Sequence, residues 1–348
     1  MNHSASIMGW DVGGAHLKAA RIEADGRLSG SWQEPCPLWR GMEQLDMAMA
    51  RILEQTGKAS RCHGITMTGE MADLFSSRKE GVLALANAMA KQLSPAPIWF
   101  FAGADGWVDG SHVAAAAPSV SSANWYATAR LLAAHTKEAL LVDIGSTTTD
   151  IIPLAKGRVA TASRSDADRL ATGELVYTGV VRTPVMALAD RAPVAGRWLT
   201  LMAEHFATSA DVYRILGWLP DGADQHDSAD NGPKTLEASR LRLARMVGRD
   251  ADELPDTAWS ELAAWFAQAQ LQSIERAARQ VLSQTLLPTE APLILAGAGA
   301  FLGARLGARL ERPVLDFHHL LPDMAAAHGW CAPAVSVARL LMEDKACA

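Results

Sequence analysis

Residues 141–159 read LVDIGSTTTDIIPLAKGRV: an apolar strand, a turn of five small or hydroxyl-bearing residues, then apolar alternation again. Nearer the start, residues 9–28, GWDVGGAHLKAARIEADGRL, follow the same plan. Aligning Asp11 on Asp143 sets Gly13 on Gly145, Gly14 on Ser146 and Lys18 on Asp150, and brings EADGRL close to AKGRV with one gap. Each copy is followed by helical periodicity. The chain is therefore expected to be an α/β protein of two similar lobes facing each other across a cleft.

The hairpin chemistry suits phosphate. Glycine and small residues let backbone N–H groups approach phosphate oxygens, and the hydroxyls of Ser146, Thr147 and Thr148 add donors. An aspartate cannot bind phosphate directly, because like charges repel. Asp11 and Asp143 are expected instead to hold Mg²⁺, which bridges to the phosphates, while Lys18 neutralises a further oxygen as a point charge. Either aspartate alone reads equally well as a turn cap; two at equivalent places favour a metal–phosphate site.

A third glycine cluster, LILAGAGAFLGARLG at residues 293–307, reads as strand, turn and helix. Gly297 and Gly299 there fit three uses. They could form a dinucleotide fingerprint completed by Asp316, a turn against a phosphorylated ligand, or simple strand–helix packing. Glu70 follows the strand pattern of residues 65–69, where strand ends line ligand sites; a first-turn carboxylate on a helix dipole is the plainer reading. Glu174 and Arg182 flank the threonine-rich TGELVYTGVVRTPV, which repeats the Thr-Gly-Glu triplet of residues 68–70. Arg182 is placed to bind phosphate bidentately, against the ordinary fate of a surface ion pair. Asn124 and Trp125 read first as a helix start and its packing partner, and otherwise as contacts to an aromatic ligand.

Composition narrows the classes. The 348 residues are 49% hydrophobic and 20% charged, with a net charge of −6. That gives ample core and no basic footprint for nucleic acid. No 18-residue apolar run and no basic leader appear, so neither a membrane span nor export is expected, and the protein is expected to be cytoplasmic. The four cysteines stand singly, without metal-site spacing, and are expected to be reduced. Residues 220–234, PDGADQHDSADNGPK, form the most polar segment and are expected to be a flexible loop or a substrate lid.

DVGGAHLK, DIGSTTTD and LAGAGAFLG resemble the phosphate and adenosine-side motifs of the actin, sugar-kinase and Hsp70 superfamily, especially its hydantoinase/oxoprolinase-like branch. The set ITMTGEMADLF, NWYATA, DIGSTTTDIIP, TGELVYTGVVRTPV and ADVYRILG is similar, over nearly the whole chain, to the tetrahydromethanopterin-linked one-carbon-transfer proteins related to the methanofuran ether synthase. The resemblance implies a duplicated, ribonuclease H-like, actin-type fold. The lobes would be residues 1–136 plus 325–348 and residues 137–324, with a largely helical insertion around 200–285. It also implies joining a furan-methyl diphosphate to the phenol oxygen of a γ-glutamyl-tyramine-like or tyrosine-like acceptor, with release of diphosphate. Gly13, Gly14, Lys18, Gly145, Ser146, Thr147, Thr148, Arg182, Gly297 and Gly299 would then bind substrate and phosphate. Asp11 and Asp143 would hold Mg²⁺, and Glu70, Glu174 or Asp143 would serve as general base. Ala15-His16 stands where many superfamily kinases carry Ser or Thr, which weakens the case for an ATP-dependent kinase. That kinase, a hydantoinase-like amidohydrolase and a non-catalytic nucleotide sensor are the competing expectations.

Overall fold

Two largely apolar runs, each carrying one aspartate next to its last residue, set the centres of two sheets: IMGWDV near the start, and EALLVDI. Their residues are buried throughout or nearly so, as expected for strands covered on both faces. The computed structural model describes residues 6–57, 60–284, 287–324 and 329–344. The chain divides into two compact units, Met1–Glu138 with Leu154–Asp166 and Asp316–Ala348, and Ala139–Pro153 with Ala167–Leu315. The expected boundary at 325, Cys347 and the first five residues lie outside the described residues.

In the first unit, β1 (Ile7–Val12), β2 (His16–Ile22) and β3 (Leu28–Pro35) form an antiparallel meander. Helix α1 (Glu43–Thr56) leads to β4 (Cys62–Met67), which runs parallel to β1; α2 (Arg78–Leu93) leads to β5 (Ile98–Phe101), parallel to β4. β6 (Trp107–Asp109) closes the sheet in the order β3-β2-β1-β4-β5-β6. Helices α3 (Val113–Val120) and α4 (Asn124–Ala133) follow. Leu45, Met49 and Ile52 of α1 and Val82, Leu85 and Met89 of α2 join Trp10, Val12, Ile65 and Met67 in one core.

The second unit repeats that plan. Strands β7 (Glu138–Ile144) and β8 (Thr149–Ala155) form its hairpin; the short β9 (Arg158–Val159), which pairs with the end of β8, falls in the segment assigned to the first unit. After α5 (Asp166–Thr172), β10 (Leu175–Val176) pairs antiparallel to β8, and a hairpin of β11 (Arg191–Val194) and β12 (Arg197–Thr200) stands apart. Helices α6 (Ser209–Ile215), α7 (Leu236–Met246) and α8 (Asp256–Gln284) follow. β13 (Leu293–Ala296) runs parallel to β7; α9 (Gly303–Leu310) and β14 (Val314–Asp316) complete the order β10-β8-β7-β13-β14. The chain then returns to the first unit through α10 (Phe317–Leu320) and α11 (Ala332–Asp344), which packs on β1, β2, β4 and α4. In both sheets the hairpin aspartate sits on the central strand beside a parallel neighbour: Asp11 opposite Thr66, Asp143 opposite Ala296.

The segment 220–234 is tied down rather than free, which narrows the expectation of a flexible loop or lid. Arg242, fully buried, donates through Nε to Asp230 Oδ1 at 2.8 Å, through Nη1 to Asp211 Oδ1 at 2.9 Å and through Nη2 to the Pro233 carbonyl at 2.6 Å. Arg214 and Lys234 both pair with Asp224. Such a polar stretch is ordered because its carboxylates meet cations anchored on α6 and α7, an arrangement composition alone does not reveal.

Cys36 and Cys331 are free and buried, as expected. Among the described residues no helix is long and apolar enough to cross a membrane.

Candidate active site

Asp11 lies near the end of β1, 2% exposed, directly across the hairpin from Lys18. Lys18 Nζ stands 3.5 Å from Asp11 Oδ2, and Asn124 Nδ2 approaches Oδ1 at the same distance. Asn124, at the start of α4, thus touches the aspartate while its Oδ1 accepts the Trp125 N–H. Gly13 and Gly14 form the turn: the Gly13 N–H donates to the His16 carbonyl, and the Gly14 carbonyl accepts from Leu38. Beside Asp11, the buried Thr66 hydroxyl has no hydrogen-bond partner among the described residues.

Glu70 follows β4 in a single 3₁₀ turn, Gly69–Met71. It is 1% exposed, and its Oε1 accepts from Ser121 Oγ at 2.6 Å and Ser122 Oγ at 2.9 Å. Its Oε2 is buried and meets no hydrogen-bond partner among the described residues. Ser122 also reaches Asp166 Oδ2 at 3.0 Å, and Arg78 pairs with that same oxygen at 2.9 Å. Ser122, Asp166 and Arg78 were not singled out from the sequence. They lie 44 to 88 residues apart in sequence, so only the fold brings them together.

In the second unit three segments meet around the turn after β7. The Gly145 N–H donates to the Thr148 carbonyl, closing the turn that carries Ser146 and Thr147. The Ser146 carbonyl accepts from Val181 and Arg182, and Val180 donates to Gly145. Gly179 packs so tightly on this turn that a Cβ there would lie 2.5 Å from the Ser146 carbonyl and from Thr147 N. From the other side the Gly299 N–H donates to Ile144, and Gly297 sits against Asp143. The Ser146 hydroxyl is buried and unpartnered among the described residues. Burial pushes the Arg182 guanidinium below its ordinary value, with Tyr177 acting the other way.

Glu174 immediately precedes β10 and is 5% exposed. Its carbonyl accepts from Ile151 N and from Arg169 Nη2, and Arg169 is itself buried and paired with Asp150. The two Thr-Gly-Glu triplets therefore have different surroundings. One follows a central parallel strand; the other enters an edge strand through Gly173.

The segment 178–183 rests on a polar group buried in apolar surroundings. Gln270 lies in the buried stripe of α8, where its neighbours are Phe266, Leu271 and Ile274. Its Nε2 donates to Thr178 Oγ1 and to the Gly179 carbonyl, both at 2.7 Å, and its Oε1 accepts from Tyr213 of α6. Ser209 Oγ donates to the same Gly179 carbonyl at 2.8 Å. A glutamine inside a helical apolar row was the available sequence signal, since buried amides demand partners.

Among the described residues no group of three or more His, Cys, Asp or Glu side chains is arranged to ligate a metal.

A family model for hydantoinase/oxoprolinase matches residues 61–344. The (4-{4-[2-(gamma-L-glutamylamino)ethyl]phenoxymethyl}furan-2-yl)methanamine synthase of Methanocaldococcus jannaschii is 32% identical over 252 residues, 72% of this chain and 74% of that one. The protein of the same name from Methanococcus vannielii is 31% identical over 118 residues, 34% of this chain and 53% of its own length. A solved structure, the activator of 2-hydroxyisocaproyl-CoA dehydratase from Clostridium difficile with bound ADPNP, is similar at 9% identity. Its TM-score is 0.49, over 97% of this chain and 95% of that one. The chain belongs to the hydantoinase/oxoprolinase family, in the group of the furan-2-yl-methanamine synthases.

Proposed function

We propose that this protein forms the ether of a methanofuran-type cofactor. It would join (5-aminomethyl-3-furyl)methyl diphosphate to the phenol oxygen of a γ-glutamyl-tyramine or tyrosine-like acceptor. The observation that carries this reading is the 32% identity, over most of both chains, to a protein whose named product contains a phenoxymethyl-furan ether. The phenol O–H bond and the furyl-CH₂–O bond break, the phenol oxygen bonds the methylene carbon, and diphosphate leaves with one proton released. Positive charge develops on the methylene carbon as diphosphate departs, so leaving-group stabilisation and phenol deprotonation are the two tasks.

In the second unit the turn Gly145–Thr148, the unpartnered Ser146 hydroxyl and Arg182 are suited to phosphate oxygens, with Gly297 and Gly299 closing around the turn. Asp143 would hold Mg²⁺ as a carboxylate ligand, directly or through water. A bound Mg²⁺ supplies charge neutralisation of the leaving diphosphate. In the first unit Lys18 offers a cation beside Asp11, the other candidate metal carboxylate, with the Gly13-Gly14 turn next to it. Glu70 is the preferred general base, because its Oε2 is a buried carboxylate oxygen with no hydrogen-bond partner among the described residues. Glu174 and Asp143 are the alternatives.

The test is direct. Purified protein, Mg²⁺ and both synthetic substrates are expected to give the ether by mass spectrometry and one diphosphate per ether, with EDTA suppressing both. Absence of ether with tyramine, tyrosine and the glutamylated acceptor alike would overturn the reading. The family match itself supports a second reading, an amidohydrolase of the hydantoinase/oxoprolinase kind. Hydrolysis of a cyclic amide by the same preparation would favour it.

A further inference from the structure

Ser122 has one proton and two carboxylates to give it to. Its Oγ lies 2.9 Å from Glu70 Oε1 and 3.0 Å from Asp166 Oδ2, both within hydrogen-bond range. A hydroxyl donates once, so the two acids compete for it. Arg78, 2.9 Å from the same Asp166 oxygen, offsets the charge of Asp166 and weakens its claim. The backbone of Ser122 has φ 51, uncommon for a residue with a Cβ. Strained backbone of this kind persists where the surroundings hold it, here with contacts to acids on both sides.

We infer that Ser122, Asp166 and Arg78 are positioning residues that set the basicity of Glu70: Ser121 and Ser122 saturate Oε1, Oε2 is left as the proton-accepting oxygen, and the Asp166–Arg78 pair decides how much of the Ser122 proton Glu70 receives. This rests on the reading of Glu70 as general base. The groups around Glu70 come from three elements. The loop between α3 and α4 gives Ser121 and Ser122. The segment 154–166 of the first unit ends in Asp166, and α2, packed against the turn that carries Glu70, begins with Arg78, Lys79 and Glu80. Of these last three, Arg78 turns to Asp166, and Glu80 accepts from Ser76.

The inference predicts opposite signs. Ser122→Ala removes a donor from Glu70, so the acid limb of kcat/KM for ether formation moves up in pH. Asp166→Asn removes the competing charge and leaves the Ser122 proton to Glu70, so the limb moves down. Arg78→Met strengthens the claim of Asp166 and moves it up. Shifts of about 0.5 pH unit or more are expected, because a donor to the charged form favours that form. KM for the furan diphosphate should stay within about twofold, since the inferred effect acts on the proton-accepting step. Ser122→Gly, which accepts φ 51 without a Cβ, repeats the first test if the alanine variant fails to fold.

Failure of this idea and failure of the base reading are separable. A Glu70→Gln variant that keeps turnover removes the base reading. An inactive Glu70→Gln with unmoved limbs, or limbs moving the same way in Ser122→Ala and Asp166→Asn, overturns the inference. A readout that needs no turnover is ¹³C NMR of carboxyl-labelled glutamate, with Glu70→Gln identifying the resonance. The Glu70 titration should move in the same opposite directions, and a fixed titration in both variants also overturns the inference.

Discussion

Gly297 lies directly against Asp143: the Cβ it lacks would stand 2.4 Å from Asp143 Oδ1 and 2.2 Å from the Ile144 carbonyl oxygen. Its φ of 84 adds a second requirement, since that region strains any residue with a Cβ. The glycine of the third cluster thus holds the aspartate of the second hairpin in place. Gly297→Ala should cost about 1–3 kcal/mol from backbone strain alone. The same change should raise KM for the diphosphate substrate, by displacing Asp143. Urea denaturation and steady-state kinetics on one preparation check both.

The histidine on β4 makes stability depend on pH. His63 Nδ1 accepts from Trp10 Nε1 at 3.1 Å, which requires the neutral ring, and burial, assisted by Arg21, holds its pKa down at about 4. The unfolded chain titrates near 6.5, so between these values it binds more protons than the folded one. Stability from this group therefore rises with pH across the window and is lost as pH falls from 6.5 to 4, by up to about 3 kcal/mol. Urea midpoints at pH 7, 5.5 and 4.5 should show the decline, and His63→Gln, which keeps an acceptor for Trp10, should flatten it.

Arg242 is the keystone of the segment 220–234. Arg242→Met would leave Asp211 buried without its main cation, at a cost of about 3–5 kcal/mol, and should expose the segment to limited proteolysis. Asp230 reports on the same contact. Burial acts to raise its carboxyl, but the Arg242 guanidinium and the Gly232 N–H outweigh that and hold it at about 2. Its contribution is present above the ordinary carboxylate range and lost as pH falls toward 2, a window below that of His63. Cleavage rates unchanged in the variant would count against the anchoring role.

Gln270→Ala should disturb chemistry from a distance. It orphans the Tyr213 hydroxyl and takes a donor from Thr178 and Gly179, at about 1–3 kcal/mol for each group left unpaired. Because Gly179 packs on the Ser146–Thr147 peptide, KM for the diphosphate is expected to rise more than kcat falls. Gln270→Glu, which keeps an acceptor for Tyr213 and loses the amide donor, separates the two contacts.

Much of this protein was legible in its residues. Strand alternation around GWDV and LVDI, the glycine turns and the register of Asp11 with Asp143 predicted two sheets built alike, and both have the same hairpin-then-parallel order. Periodicity is local, so a single stretch carries it. The surroundings of Glu70 were not legible, because Arg78, Ser121, Ser122 and Asp166 share no spacing and meet only when the first unit brings α2, the α3–α4 loop and the segment ending at Asp166 together. The order of the segment 220–234 was hidden for the same reason: its polarity reads as solvation until Arg214 and Arg242 are found beneath it. The sequence by itself determined the secondary structure, the doubled hairpin and the phosphate-like turns, since each follows from neighbouring residues. Tertiary structure alone decided which carboxylate oxygen is left open and which cation answers which acid, because those depend on distances between residues far apart in the chain.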